Sequence, residues 1–389
     1  MGIEGRLSID LDRAGDGRGR ARIASTRPLK LTKSFVGKSA EDAVAALPIL
    51  FNVCRNAQGA AAAQACERAM GLEADAETSR VRAVLVLVES LREHLVRVVI
   101  DWPRFLGEVP QRADLLDVMR LCERLRSEID PHREALSFRA TARVEMAKLV
   151  SFIDEAAALV ERLVLGEAIE AWRARRTSAQ LAQWAECRKT AAQRLIAAVG
   201  ERDWATAGEA PVRFLPQLSD SELGGLLLGD DAEAFVAAPT WNDETHETSA
   251  LARQANSPLV GDLARNSGYG LLVRLAARLV EIGDLPHAMA TMADGSETFE
   301  GSRAESRTAG RGLAQVETAR GRLVHGVEIK DGIVRRYAIL APTEWNFHVD
   351  GCAAQGLADI AGRQADPRQL AELFVIAVDP CVGFEVRVN

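Results

Sequence analysis

From Thr78 to Trp102 apolar residues return every three or four positions, at Val84, Leu87, Val88, Leu91, Leu95, Val98 and Val99, and this spacing predicts a long helix that Pro103 stops. A helix start is predicted at Ser39 with Asp42 in the first turn, and a second helix runs from Gln58 to Met70 before Gly71. Further helices are expected from Leu115 to Ile129, from Phe138 to about Arg173, from Ser178 to Val199, from Tyr269 to Ile282 and from Pro367 to Val375. The stripe Val144, Leu149, Ile153, Val160 and Leu163 reads as core. Long antiparallel helices of this kind pack as a bundle.

The two ends of the chain carry a different period. Residues from Ile3 to Leu11 alternate apolar and polar, and the stretch from Arg18 to Ser25 follows a Gly15-Asp16-Gly17 turn, so a short hairpin is predicted. A second hairpin is signalled by Asp331-Gly332 between the apolar stretches from Leu323 to Ile329 and from Val334 to Leu340. Between residues 201 and 249 the pattern weakens, and the short runs from Gly224 to Leu228 and from Phe235 to Ala238 are expected as strands. The polar, Gly- and Ser-rich stretch from Asp294 to Gly312 reads as a surface loop. The expected class is mainly α with peripheral β structure (α+β).

Composition narrows the functional classes. With 389 residues and 48% hydrophobic content there is ample material for a buried core. A formal charge of -7 and 5% aromatic residues argue against nucleic acid as a partner. The most apolar stretch, from Val81 to Ile100, is interrupted by Arg82, Glu89, Arg92, Glu93 and Arg97, so no membrane association is expected. The beginning of the chain has no apolar segment of signal-peptide length, and a cytoplasmic location is expected. Six cysteines are scattered without disulfide or zinc spacing, and Cys66, Cys122, Cys187 and Cys352 read as small fillers.

The remaining two cysteines stand in distinctive segments. Cys54 lies in Phe51-Asn52-Val53-Cys54-Arg55-Asn56-Ala57-Gln58, and Cys381 follows a rigid step in Asp379-Pro380-Cys381-Val382-Gly383-Phe384-Glu385-Val386-Arg387. Together these segments resemble the two metal-binding motifs of the nickel-iron hydrogenase large subunit, Cys-x-x-Cys-x-x-x-His and Asp-Pro-Cys-x-x-Cys-x-x-His. Laid on those motifs, Phe51 and Phe384 stand at two of the four cysteines, while Gln58 and Arg387 stand at the histidines. Two further segments resemble the family in the same order. Ile3-Glu4-Gly5-Arg6-Leu7 is similar to its Glu-Gly-His opening, and the stretch from Val316 to His325, with Pro342-Thr343-Glu344-Trp345-Asn346 after it, is similar to the region of its active-site arginine.

The resemblance implies a single hydrogenase large-subunit-like domain over residues 1–389, with a central long-helix bundle into which both cysteine segments converge. It also implies iron ligation by Cys54 and Cys381, with Arg320 and Thr343 donating to diatomic ligands of that iron. Two thiolates cannot build a four-sulfur cage, so no nickel is expected. Thr32 falls near the position of the family's proton-transfer glutamate, which it cannot replace. Arg387 is expected to pair with Glu4 in place of a magnesium ion.

A large-subunit architecture with half the ligands resembles the assembly branch of the superfamily, the HupK or HoxV type of hydrogenase maturation protein. That implies a non-catalytic scaffold carrying an iron with two cyanides and one carbon monoxide, the Fe(CN)2(CO) fragment, as transient cargo. Its partners would be hydrogenase maturation accessory proteins and the immature hydrogenase large subunit. The alternative is a metal-free structural or interaction protein derived from the large subunit. His325 and His348 lie near the matched segments and are read as hydrogen-bonded structural residues.

Overall fold

The computed structural model describes residues 5–13, 19–143, 145–294, 309–363 and 367–389. Strands β1 (Arg6–Arg13) and β2 (Gly19–Ser25) form the expected antiparallel hairpin, with Ile9 opposite Ile23. Helix α1 (Ala40–Leu50) starts where Ser39 accepts the Asp42 N–H. Helix α2 (Arg55–Ala69) is buried on almost every side, which its run of alanines permits because small side chains let neighbours approach on all faces.

Helix α3 (Ala76–Val96) does not end at Pro103. It widens into a π turn (Arg97–Asp101), where the Trp102 N–H reaches the Arg97 carbonyl, and runs on as α4 (Trp102–Phe105). The wider turn shifts the hydrogen-bond register just before the proline ring, so the chain bends past it.

Helix α5 (Arg112–Ile129) lies where periodicity places it, but the next two expected helices are each divided. The first becomes α6 (Met146–Val160), a second π turn (Glu161–Leu165) closed by left-handed Gly166, and α7 (Ile169–Arg173). Val144 of the expected core stripe lies outside the described residues, and the other four members are buried. The second becomes α8 (Ser178–Ala185) and α9 (Ala191–Glu201), because Arg188 takes a positive φ and Thr190 opens α9 with a capping box to Gln193.

The two runs expected as strands are helices, α10 (Asp220–Leu227) and α11 (Ala232–Ala237). A capping box between Ser219 and Glu222 starts α10, and that local chemistry outweighs the short apolar run. Two more helices, α12 (Ala250–Gln254) and α13 (Pro258–Ser267), lead into α14 (Leu271–Asp294), which continues through Pro286 beyond its expected end.

Most of the expected loop from Asp294 to Gly312, residues 295–308, lies outside the described residues, and β3 (Arg311–Thr318) begins within its last part. Strands β4 (Gly321–Lys330) and β5 (Ile333–Leu340) meet at Asp331-Gly332, whose φ values of 54° and 75° suit the predicted tight turn. The chain finishes with α15 (Pro342–Asn346), α16 (Cys352–Gly362), α17 (Pro367–Val378) and strand β6 (Gly383–Val388).

Among the described residues two three-stranded sheets form, in the orders β2-β1-β6 and β3-β4-β5. In the first, β6 lies parallel to β1 with Leu7 beside Phe384 and Ile9 beside Val386, so the two ends of the chain are zipped together. In the second, β3 crosses directly over α2. A Cβ at Gly312 would stand 2.0 Å from the Ala65 carbonyl oxygen and 2.5 Å from the Ala69 nitrogen, so only glycine fits there. Gly312→Ala should therefore destabilise the protein by about 1–3 kcal/mol in urea unfolding, and an unchanged midpoint would show that β3 does not press on α2.

Candidate metal centre

Cys54 immediately precedes α2 and Cys381 sits three residues beyond α17, yet both line one cavity of about 50 Å³. Phe51, Thr32, Gln58 and Arg320 also line it, and the remaining wall is largely apolar. A buried water occupies roughly 10–15 Å³ on this scale, so the space accepts several small groups. Among the described residues no set of three or more His, Cys, Asp and Glu converges to hold a metal ion. The two sulfurs are the only cysteine thiols at the cavity wall.

The charges that interrupt the apolar run of α3 brace the elements that carry this site rather than line it. Arg82 makes a two-pronged ion pair with Glu67 at 2.8 and 2.9 Å, which ties α3 to α2. Glu89 accepts the Asn56 and Ala57 N–H groups at 2.8 and 3.1 Å and so caps the first turn of α2. Arg92 donates to the Val53 carbonyl at 2.9 Å and fixes the approach to Cys54. These residues recur at spacings of seven and then three or four, a helical stripe of charge inside an apolar segment. That stripe is the sequence signal for them, although in the sequence alone it argues only against a membrane span.

A cysteine at a helix N-terminus usually becomes a better thiolate, because the helix dipole favours negative charge. Here Glu89 already occupies that position. Burial pushes the Cys54 thiol up to about 12, with Cys381 and Glu89 adding to the shift. Burial also raises Glu89 to about 7, against the pull of its two backbone donors. Without a metal, Cys54 is thus a protonated thiol at neutral pH. It accepts the Gln58 amide N–H at 3.7 Å.

Cys381 is aimed by the residues before it. Asp379 takes a left-handed φ of 71°, and its carboxylate is gripped by Arg97 from the π turn at 2.8 and 3.0 Å. Arg278 of α14 stands 3.4 Å from it, and Arg320 from the β3–β4 turn 3.5 Å. Burial alone would raise the Asp379 pKa, but the three guanidinium groups outweigh it and hold the carboxyl well below its usual range. Arg320 is held in turn by Glu93 at 2.8 Å and by the Pro380 carbonyl at 3.3 Å. Burial works against its charge, and the Asp379 and Glu93 carboxylates more than restore it.

Of the four residues singled out from sequence, Cys54, Cys381 and Arg320 line one cavity and Thr343 bonds Cys381. Arg320 lines the cavity beside both sulfurs. Thr343 is buried at the start of α15 but is not among the cavity-lining residues, and its hydroxyl donates to the Cys381 sulfur at 3.0 Å while accepting the Cys381 N–H at 3.1 Å. Thr343 therefore orients the Cys381 sulfur. The expected Arg387–Glu4 pair cannot be drawn, since Glu4 lies outside the described residues. Arg387 is exposed and bonds Glu385 at 2.8 Å. Phe51 lines the cavity, whereas Phe384 is drawn into β6 beside Leu7. Of the four filler cysteines, Cys66, Cys122 and Cys352 are buried and Cys187 is exposed.

Comparison with known proteins gives the class first. The reduced Ni-Fe-Se hydrogenase from D. vulgaris Hildenborough superposes with a TM-score of 0.64 at 15% identity, over 95% of this chain and 94% of that one. An NAD+-reducing [NiFe]-hydrogenase gives 0.63 at 16%, over 95% and 93%. The fold is that of the nickel-iron hydrogenase large subunit.

Sequence relatives narrow the class. The hydrogenase expression/formation protein HupV of Azotobacter chroococcum mcd 1 is 31% identical over 389 residues, covering 99% of both chains. HupK of Azotobacter vinelandii is 30% identical over 403 residues with the same coverage. HoxV of Cupriavidus necator is 30% identical over 400 residues, covering 94% of this chain and 92% of its own. No protein-family model matches the chain. The chain belongs to the hydrogenase expression/formation proteins of the HupK, HupV and HoxV kind.

Removing the Asp379 charge leaves buried Arg278 and Arg320 and half-buried Arg97 without their shared anion, so Asp379→Asn should cost about 3–5 kcal/mol in denaturant unfolding at neutral pH. Because the folded-state pKa is depressed, this contribution is present above the ordinary carboxyl value of 3.8 and fades as pH falls below it. The gap between the native chain and the variant should narrow in acid, and a gap that stays constant would contradict the ion-pair account.

Proposed function

We propose that the protein is a non-catalytic scaffold that carries the Fe(CN)2(CO) fragment during assembly of the nickel-iron hydrogenase cofactor, with Cys54 and Cys381 as its two protein ligands. The observation that supports this most directly is the meeting of two thiols from opposite ends of the chain in one small cavity beside the buried guanidinium of Arg320. Two thiolates are too few to satisfy a bare ion, but an iron that arrives with three strong-field diatomic ligands needs few more. Arg320 suits the anionic nitrogen of a cyanide, since a charged planar donor makes strong hydrogen bonds to such an acceptor.

Loading exchanges each sulfur-bound proton for a bond to iron, so two protons leave as the cargo enters. Release is the reverse substitution. Thiolates of the immature large subunit displace Cys54 and Cys381, which recover their protons, and iron keeps its oxidation state throughout. Burial and the neighbouring Cys381 and Glu89 raise the pKa of the Cys54 thiol, so the displaced sulfur is protonated at neutral pH. Nickel is left out of this scheme because Phe51 brings an apolar ring to the cavity wall in place of a sulfur.

The whole chain would act as one unit in the cytoplasm, between the accessory proteins that build the fragment and its destination. Among the described residues no helix is long and apolar enough to cross a membrane.

Infrared spectra of protein purified anaerobically from cells that make hydrogenase test the scheme. Two cyanide bands and one carbon monoxide band are expected, with loss of all three in Cys54→Ser and in Cys381→Ser. Native protein without such bands, even after incubation with the accessory proteins, would favour the metal-free reading.

A further inference from the structure

Behind Cys54 lies a row of buried polar groups that the assembly scheme does not use. Gln58 sits one turn into α2, His325 on β4 and Tyr337 on β5, and all three are buried. The Gln58 amide has Nε2 at 3.7 Å from the Cys54 sulfur and Oε1 at 2.9 Å from His325 Nε2, while His325 Nδ1 lies 2.9 Å from the Tyr337 hydroxyl. The Tyr337 ring is held against Phe35 with centroids 5.5 Å apart. The row therefore ends in a rigid aromatic contact at one end and a sulfur at the other.

Burial pushes His325 down to about 3, so its ring is neutral, with one nitrogen donating and the other accepting. Two polarities satisfy such a row. In one, the Tyr337 hydroxyl donates to Nδ1, the Nε2–H donates to Gln58 Oε1, and the amide N–H donates to sulfur. In the other every bond is reversed, and Cys54 must supply an S–H. A sulfur bound to iron has no proton to give, so only the first polarity fits a loaded site.

We infer that Tyr337 and His325 are positioning residues that lock the Gln58 amide with its N–H toward the Cys54 sulfur, making Gln58 the group that tunes this sulfur's bond to the iron cargo. The inference rests on the cargo reading above. A hydrogen bond to a coordinating thiolate draws electron density away from the metal, as neighbours of metal ligands generally do. With the bond in place the iron is poorer in electrons and Cys54 is the weaker of the grips. Tyr337 and His325 do not line the cavity, and they act through the orientation of Gln58.

The test compares infrared spectra of loaded full-length protein carrying Gln58→Leu, His325→Phe or Tyr337→Phe. Each variant should keep its bands while the carbon monoxide band moves to lower wavenumber, most for Gln58→Leu and least for Tyr337→Phe. A purely structural role would change band intensity but not position. Bands unmoved in loaded Gln58→Leu would overturn the inference and leave the cargo reading intact.

If the native protein shows no bands, the cargo reading fails, and nitrogen-15 spectra of the histidine-labelled chain decide the polarity on their own. A neutral His325 ring protonated at Nε2 across about pH 6 to 8 supports the relay. Protonation at Nδ1, or at both nitrogens, overturns it.

Discussion

Everything about this site follows from burying the Asp379 carboxylate where three arginines can reach it. A carboxylate taken out of water costs several kcal/mol unless its ion pairs and hydrogen bonds are nearly complete. Arg97 hydrogen-bonds one carboxylate oxygen while Arg278 and Arg320 stand within ion-pair distance, and they come from a π turn, a long helix and a β-turn that are far apart in sequence. Satisfying one carboxylate therefore fixes three elements at once. The residue two positions later is Cys381, so the same constraint aims the second sulfur.

The π turn has a definite purpose in this arrangement. It carries α3 past Pro103 and turns Arg97 toward Asp379, while Glu93, one turn earlier, holds Arg320. Farther back on the same helix Arg92 fixes the loop before Cys54, and Glu89 caps α2. One helix thus sets the positions of both cysteines from behind, and the sheet β2-β1-β6 secures the last residues of the chain in front.

Much of this was legible in the sequence, for identifiable reasons. Periodicity located α2, α3, α5 and the β4–β5 hairpin because their patterns are long or carry an unambiguous turn at Asp331-Gly332. It failed from Phe138 to Val199, where single residues such as Gly166, Arg188 and Thr190 break helices that apolar spacing alone would continue. It failed again at α10 and α11, whose apolar runs are too short to distinguish helix from strand. Cys54, Cys381 and Arg320 could be picked out because they sit in motif-like segments. His325 and Tyr337 could not, since their role depends on a hydrogen-bond row that crosses three elements. Thr343 sits in such a segment too, and its bond to the Cys381 sulfur depends on a fold the sequence does not show.

The central claim is that iron in this protein is held by two sulfurs and completes its coordination with ligands it brought along. X-ray absorption at the iron edge of the loaded protein measures this directly. The account predicts two sulfur scatterers, with the rest of the shell made of carbon atoms in linear diatomic groups. Four sulfurs, or a shell of oxygen and nitrogen with no sulfur, would contradict it.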